Sequence, residues 1–152
     1  MRSAVGEQGA YEVDDDPARV DRDTVWEFLS TGAYWSTWRE RAHLERQLDI
    51  SWRVAGAYRT ADGALVGFAR AISDGLSMAY LADVFVLPSA RGHGLGKELV
   101  RLMVEQGDGA AFKWMLHTAD AHGLYAQFGF AAPDEMYMER PGKAAALGRS
   151  AG

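Results

Sequence analysis

Glycine recurs at positions 92, 94 and 96, between an almost continuous apolar run and an amphipathic one, and this junction restricts the fold more than any other segment. The run Met78–Leu87 carries a single charge, Asp83, as expected of a central strand covered on both faces. Beyond the glycines, Leu95, Leu99, Leu102 and Met103 share one helical face, and Gly107-Asp108-Gly109 ends that helix. A strand that passes into a helix through glycines leaves backbone N–H groups uncovered at the positive helix end. That is an anion site, to which Arg91 and Lys97 add charge. Two other nucleotide loops are excluded by spacing. A dinucleotide fingerprint needs its third glycine where Lys97 stands, and a P-loop needs glycine at Arg91 and Ser or Thr at Glu98. One or two glycines are explained by a bend alone, whereas three beside an arginine point to a ligand.

The remaining pattern places this junction in a mixed α/β sheet. Tyr11–Val13 reads as a strand broken by Asp14-Asp15-Asp16-Pro17, followed by a helix capped by Asp23 or Thr24, with Val25, Phe28 and Leu29 inward and Gly32 as its stop. Thr37 and Glu40 have capping-box spacing for a second helix carrying Ala42, Leu44 and Leu48. Ser51–Arg59 and Ala64–Ser73 form a hairpin about Asp62-Gly63. After the glycine loop and its helix, Ala111–Thr118 reads as a buried strand, 119–128 as a short helix ended by Gly129, and Met136–Glu139 as a last strand. The helix between Met78–Leu87 and Ala111–Thr118 is a connection long enough to make those strands parallel. The expected architecture is therefore antiparallel in its first half and parallel at its last long strands. One domain over residues 11–140 is expected, with 1–10 and 141–152 as flexible tails.

Composition removes several classes. Among 152 residues there is no cysteine, which excludes thiolate catalysis, disulfides and cysteine-based metal sites. Four scattered histidines without His-Glu-x-x-His spacing give no expectation of a catalytic metal. Sixteen Lys and Arg against 21 Asp and Glu give a net charge of −5, the wrong balance for a nucleic-acid binder. No apolar run reaches the ~18 residues of a membrane span, and the opening Met1-Arg2-Ser3 leads into Gly6-Glu7-Gln8-Gly9 rather than a signal peptide, so a cytoplasmic protein is expected.

Arg91-Gly92-His93-Gly94-Leu95-Gly96 resembles the acetyl-CoA loop of the GNAT acetyltransferase superfamily, and Leu81–Pro88 resembles the strand before it. Leu124-Tyr125-Ala126-Gln127-Phe128-Gly129-Phe130 is similar to a second signature of that family. The resemblance covers about residues 11–140 and implies a GNAT-like fold with helices on both sheet faces. It implies that the backbone from Gly92 to Lys97, His93 and Leu95 included, holds the pyrophosphate of CoA, and that Val84, Phe85 and Val86 pair with its pantetheine arm. Where the family often has an asparagine, this chain has His117-Thr118-Ala119-Asp120, so Thr118 or Asp120 is the expected substitute, or a cap for the next helix. The family also allows a homodimer, without indicating an interface.

Acetyl transfer to an amine requires moving two protons. An alkyl amine with pKa near ~10.4 must lose one to attack, at roughly 4–5 kcal/mol at pH 7. By resemblance Tyr125 is the acid that protonates the departing thiolate. Asp83 is the expected group on the amine side, as anchor or water-linked proton acceptor, since a lone carboxylate in an apolar strand needs a reason. The alternative is a salt bridge to Arg70 or Arg53, with Asp83 on the face of Leu81 and Phe85. His93 in the loop contacts phosphate or solvent only, and His117 is a core histidine or a proton relay. Tyr34 and Trp35, in a short polar connection, are expected to wall the acceptor site, and Trp38 to pack on the sheet. The resulting expectation is an acetyl-CoA-dependent N-acetyltransferase acting on a small-molecule primary amine by direct attack in a ternary complex. A peptide or protein amine as acceptor, or an acetyl-CoA sensor without turnover, are the alternatives.

Overall fold

The computed structural model describes residues 1–33 and 39–143. Six strands form one sheet in sequence order: β1 (Arg2–Val5), β2 (Tyr11–Asp14), β3 (Arg53–Arg59), β4 (Leu65–Ser73), β5 (Met78–Val86) and β6 (Lys113–Met115). Neighbours are antiparallel from β1 to β5, and β5 and β6 are parallel. Helices α1 (Arg22–Thr31) and α2 (Arg41–Ile50) precede β3, α3 (Leu95–Glu105) joins β5 to β6, and α4 (His122–Ala126) follows. The mixed sheet and parallel crossover expected from the sequence are both present.

Each face of the sheet has its own core. Ala55, Ala57, Val66, Ala69, Ala71 and Leu81 lie under Leu95, Leu99, Leu102 and Met103 of α3, where the small alanines let the helix sit close to the strands. Burying each leucine fully stabilises by about 1.5–3 kcal/mol, and α3 contributes Leu95, Leu99 and Leu102, each at most 2% exposed. On the opposite face Val54, Tyr58, Leu65, Phe68 and Phe85 meet Val25, Leu29, Leu44 and Leu48 of α1 and α2. The ring of Phe28 stacks on Phe85 at 4.2 Å between centroids.

Several local expectations need correction. Residues 1–10 are not simply a tail, because Arg2–Val5 is hydrogen-bonded to β2 in register Arg2↔Asp14 to Val5↔Tyr11. Nor does the acidic run break its strand at once: Asp14 belongs to β2, is 4% exposed, and accepts from Arg2 and Arg19. The cap of α1 is Asp21, whose carboxylate takes the N–H groups of Asp23 and Thr24. Glu40 is itself the N-cap of α2 rather than its third residue, and Thr37, the expected partner in a capping box, lies outside the described residues. The expected strand 111–118 shrinks to Lys113–Met115, with a 3-10 turn at Gly107–Ala111 before it. Met136–Glu139 is not a strand. There Asp134 takes the N–H groups of Met136 and Tyr137, a local turn that competes with ladder pairing.

Tyr58 lies across Gly56 so closely that a Cβ on Gly56 would come within 2.4 Å of its hydroxyl. That buried hydroxyl has no hydrogen-bond partner among the described residues, and burial pushes its pKa up to about 12. Tyr58→Phe removes an unpaired polar group and is expected to unfold at a urea midpoint no lower than wild type. Gly56→Ala overfills the same space and is expected to lose about 1–3 kcal/mol. A lower midpoint for Tyr58→Phe would show that its hydroxyl is bonded in solution.

Candidate active site

The glycine junction folds as its composition demands. Gly92 at φ 85° and Gly94 at φ 76° hold left-handed conformations that disfavour a side chain, and no atom lies within 4 Å of where a Cβ would stand on either. Gly94 is the N-cap of α3 and supplies no side-chain cap, and the first intrahelical bond runs from Glu98 N–H to the Gly94 carbonyl. The N–H groups of Leu95, Gly96 and Lys97 therefore have no acceptor within the helix. They face a cavity of about 250 Å³ bordered by Val86, Arg91, Gly92, Gly94 and Leu124. Open space over glycines, free N–H donors at a helix N-terminus and exposed Arg91 and Lys97 suit a pyrophosphate. Arg91 is partly engaged already, its Nε donating to the Val86 carbonyl at 3.1 Å. Leu95 has its side chain in the core, so it offers only its backbone, and the His93 ring packs against Tyr11 at 5.0 Å.

Beside this loop the sheet opens. β6 accompanies β5 only through Met78↔Lys113, Ala79↔Trp114 and Tyr80↔Met115. From Leu81 to Val86 the β6-facing edge of β5 has no ladder partner among the described residues, as an extended amide-bearing arm requires. Val84 and Val86 turn their side chains to the α3 core and Phe85 to the other, which leaves backbone for such an arm. Thr118 faces the opening, but its Oγ accepts from Ala121 N–H at 3.0 Å, the capping alternative for this residue, while Asp120 is exposed.

Tyr125 on α4 is 8% exposed, with its ring edge-on to Phe130 at 5.8 Å. It lines an open groove of about 1400 Å³ together with Tyr80, His117 and Thr118. The sequence identified Tyr125 and named His117 without a partner, but missed Tyr80 and Glu139. The Tyr80 hydroxyl bonds His117 Nδ1 at 2.6 Å, and His117 Nε2 bonds Glu139 at 2.8 Å. Nothing local in the sequence signals this chain, because its members come from β5, the residues after β6 and the C-terminal segment.

Asp83 lies at the bend of β5. Its φ is 56°, and the β4–β5 register passes from Arg70↔Ala82 to Phe68↔Phe85 with an extra residue in β5, a β-bulge. The extra residue reverses the side-chain alternation: Leu81 packs in the α3 core and Phe85 in the α1–α2 core. The expectation of one shared face is therefore corrected, because strict alternation assumed an unbroken strand. Asp83 receives Arg39 through two bonds of 2.8 and 2.9 Å, and Arg70 Nε at 2.6 Å, all three side chains being at least 94% buried. Burial, the largest influence, pushes its pKa up, but the two guanidiniums outweigh it and hold the carboxyl below its ordinary 3.8. Arg53, the other expected partner, instead donates to the carbonyls of Leu102, Met103 and Gln106 at the end of α3. Arg39, which the sequence did not single out, also donates to Gln47 of α2 at 2.9 Å. Tyr34, Trp35 and Trp38 lie outside the described residues. Among the described residues no group of three His, Cys, Asp or Glu side chains could hold a metal, and no helix is long and apolar enough to cross a membrane.

A strand pair parted beside a glycine-rich helix start defines a class of cofactor-arm-binding α/β domains, and the comparisons give it a family. The model of the acetyltransferase (GNAT) family matches residues 19–130, and the chain belongs to that family. A crystal structure of a GNAT family protein from Xanthomonas campestris pv. campestris is 36% identical, covering 88% of this chain and 94% of that one with a TM-score of 0.81. A protein of Gibberella zeae, described as a candidate acetyltransferase, is 28% identical over 107 residues, covering 69% of this chain. The match spans 58% of the length of that curated relative. The fold is also shared with glucosamine-6-phosphate N-acetyltransferase of Arabidopsis thaliana, at 11% identity, TM-score 0.59, and coverage of 86% and 97% of the two chains.

Asp83→Ala leaves two buried guanidiniums without this carboxylate, and removing one member of a buried ionic cluster costs about 3–5 kcal/mol. Because the native pKa lies below the unfolded one, the carboxylate's contribution is complete above about pH 4 and is lost as pH falls through the native pKa. Urea unfolding is expected to show a wide gap between wild type and Asp83→Ala at pH 7 that narrows below pH 4. A gap independent of pH would contradict the ionised cluster.

Proposed function

We propose that this chain is an acetyl-CoA-dependent N-acetyltransferase whose acceptor is a primary amine of a small molecule. The observation that carries the reading is the junction itself: free N–H donors at the start of α3 lie beside the unladdered edge of β5. Acetyl-CoA supplies the acyl group as a thioester. Backbone from Gly92 to Lys97, with Arg91 and Lys97, holds the pyrophosphate, and the edge at Val84–Val86 aligns the arm. Thr118 and Asp120 border its path. Tyr125 gives its phenolic proton to the departing sulfur, its ring held by Phe130 so that the hydroxyl needs little reorganisation. With no cysteine in the chain, attack is direct within a ternary complex.

Asp83 serves this site by position. A carboxylate already bound to two guanidiniums and held below pKa 3.8 is a weaker base than a free aspartate, so its task is to fix Arg39 and Arg70 on the acceptor face at the bulge. The small-molecule acceptor is supported by the net charge of −5 and by Tyr34 and Trp35 in the connection before α2, whose rings suit an organic cation.

A thermal-shift titration tests the cofactor reading, with ATP and NADH as anionic controls. Acetyl-CoA at ~100-fold excess over its dissociation constant adds about 2.7 kcal/mol, a rise the controls should not reproduce. Tyr125→Phe is expected to keep that rise while CoA release with a panel of primary amines falls by ~10²–10⁴. An equal shift with all three nucleotides would reduce the loop to a generic anion site.

A further inference from the structure

Resting on the acetyl-transfer reading, we propose that Tyr80, His117 and Glu139 form the relay that removes the acceptor amine's proton, with Tyr80 as the catalytic residue that touches the amine. Position is the first support. Tyr80 and Met115 are the last paired residues of the parallel strands, so Tyr80 stands where β5 and β6 part. Its neighbour Leu81 packs in the α3 core, which puts Tyr80 on the opposite, α1–α2 face, the face of Phe68 and Arg70. Tyr80, His117 and Tyr125 line one groove, so a relay for the amine and an acid for the sulfur open onto the same space.

The hydrogen bonds fix the direction of transfer. A carboxylate only accepts, so the 2.8 Å contact with Glu139 places a proton on His117 Nε2 and leaves the Nδ1 lone pair to accept from the Tyr80 hydroxyl at 2.6 Å. Tyr137 also donates to Glu139, at 3.1 Å, which steadies the carboxylate. The groups facing the Tyr80 hydroxyl are His117, Tyr137 and Glu139 from the C-terminal side, and Asp83 and Arg70 from the sheet. Burial, then Tyr137, Glu139 and Asp83, raise its pKa above the ordinary 10.0 against the opposing pull of Arg70, so the phenol keeps its proton at neutral pH.

In the step, an ammonium N–H bond breaks as an O–H bond forms on Tyr80 Oη, and the original Tyr80 O–H bond breaks as an N–H bond forms on His117 Nδ1. The electron pair stays on the amine nitrogen for attack, and Glu139 balances the imidazolium. The His117 side chain is 57% exposed and the Glu139 side chain 37%, so the proton passes from the imidazole to solvent. Glu139 acts through His117 and is a positioning residue.

Two readouts test this. In the unliganded protein, ¹⁵N NMR of the His117 imidazole is expected to show the Nε2–H tautomer. That single tautomer should give way to a mixture in Glu139→Gln, which lies at the surface and leaves the cores intact, and the Nδ1 resonance should move in Tyr80→Phe. An imidazole spectrum unchanged in both variants overturns the relay without reference to any acceptor. Kinetically, acetyl-CoA is paired with each primary alkylamine the wild type turns over and with hydroxylamine, which is already neutral at pH 7. Tyr80→Phe and His117→Gln should lower kcat/KM by ~10²–10⁴ for alkylamines and leave hydroxylamine turnover close to wild type. The acidic limb of the alkylamine pH profile should move to lower pH in Glu139→Gln. Equal losses for both kinds of amine would show a structural role and overturn the proposal. The acetyl-CoA thermal shift does not involve these residues, so variants that keep it while losing alkylamine turnover separate failure of the relay from failure of the cofactor reading.

Discussion

The extra residue in β5 at Asp83 sets which side chains the two faces of the site receive. With φ at 56°, a conformation aspartate tolerates better than most residues, the strand turns over in its middle. Leu81 then belongs to the core under α3, and Phe85, four residues later, to the core under α1 and α2. A regular strand would have kept both on one face and left one core short of a large side chain. The bulge also turns Asp83 to the face where Arg70 and Arg39 reach it. The ionic cluster and the bulge thus support each other: the guanidiniums repay the desolvation of a carboxylate that the bent backbone places inside.

That cluster also ties the segment before α2 to the sheet. Arg39 precedes α2, and its bonds to Asp83 and Gln47 fasten the start of that helix to β5 at a separation of 44 residues. The helix accordingly begins at Arg41, one residue after its N-cap Glu40, rather than near Thr37. On the other face α3 needs no such fastening, because six of its eleven residues are buried side chains of the sheet-facing stripe. Apolar burial holds the glycine loop in place, and directional charge holds the face that carries Asp83. Only the second arrangement is sensitive to acid.

What could be read from the sequence divides along the same line. The β3–β4 hairpin was legible because Asp62-Gly63 states its turn, and α3 because Leu95, Leu99, Leu102 and Met103 repeat at helical spacing. The glycine loop was legible because its chemistry is local, glycines next to an arginine. The two polar groups were not, since Arg39 meets Asp83, and Tyr80 meets His117 and Glu139, only after the sheet has formed, and pairing across such distances leaves no periodic trace. Asp83 misled for a physical reason: Leu81, Asp83 and Phe85 alternate as one face, and a bulge stabilised by distant arginines cannot be seen in the residues that bulge. Met136–Glu139 misled differently, because its apolar alternation is real while Asp134 captures the backbone for a turn.

The two ionic groups on this face differ most in their access to water, and the roles proposed for them follow that difference. The Asp83 side chain is 2% exposed and is held by two cations, so protonating it would cost both of those bonds inside the protein. In the proposed reaction such a group defines a geometry and keeps one proton state. His117 is more than half exposed, with a carboxylate on one nitrogen and the half-buried Tyr80 phenol on the other, so solvent reaches the ring while both partners hold it in place. A proton taken from an amine in the groove must leave the protein before the next turnover. The His117 imidazole, at the parting of β5 and β6, borders the groove and reaches solvent while hydrogen-bonded to Tyr80 and Glu139.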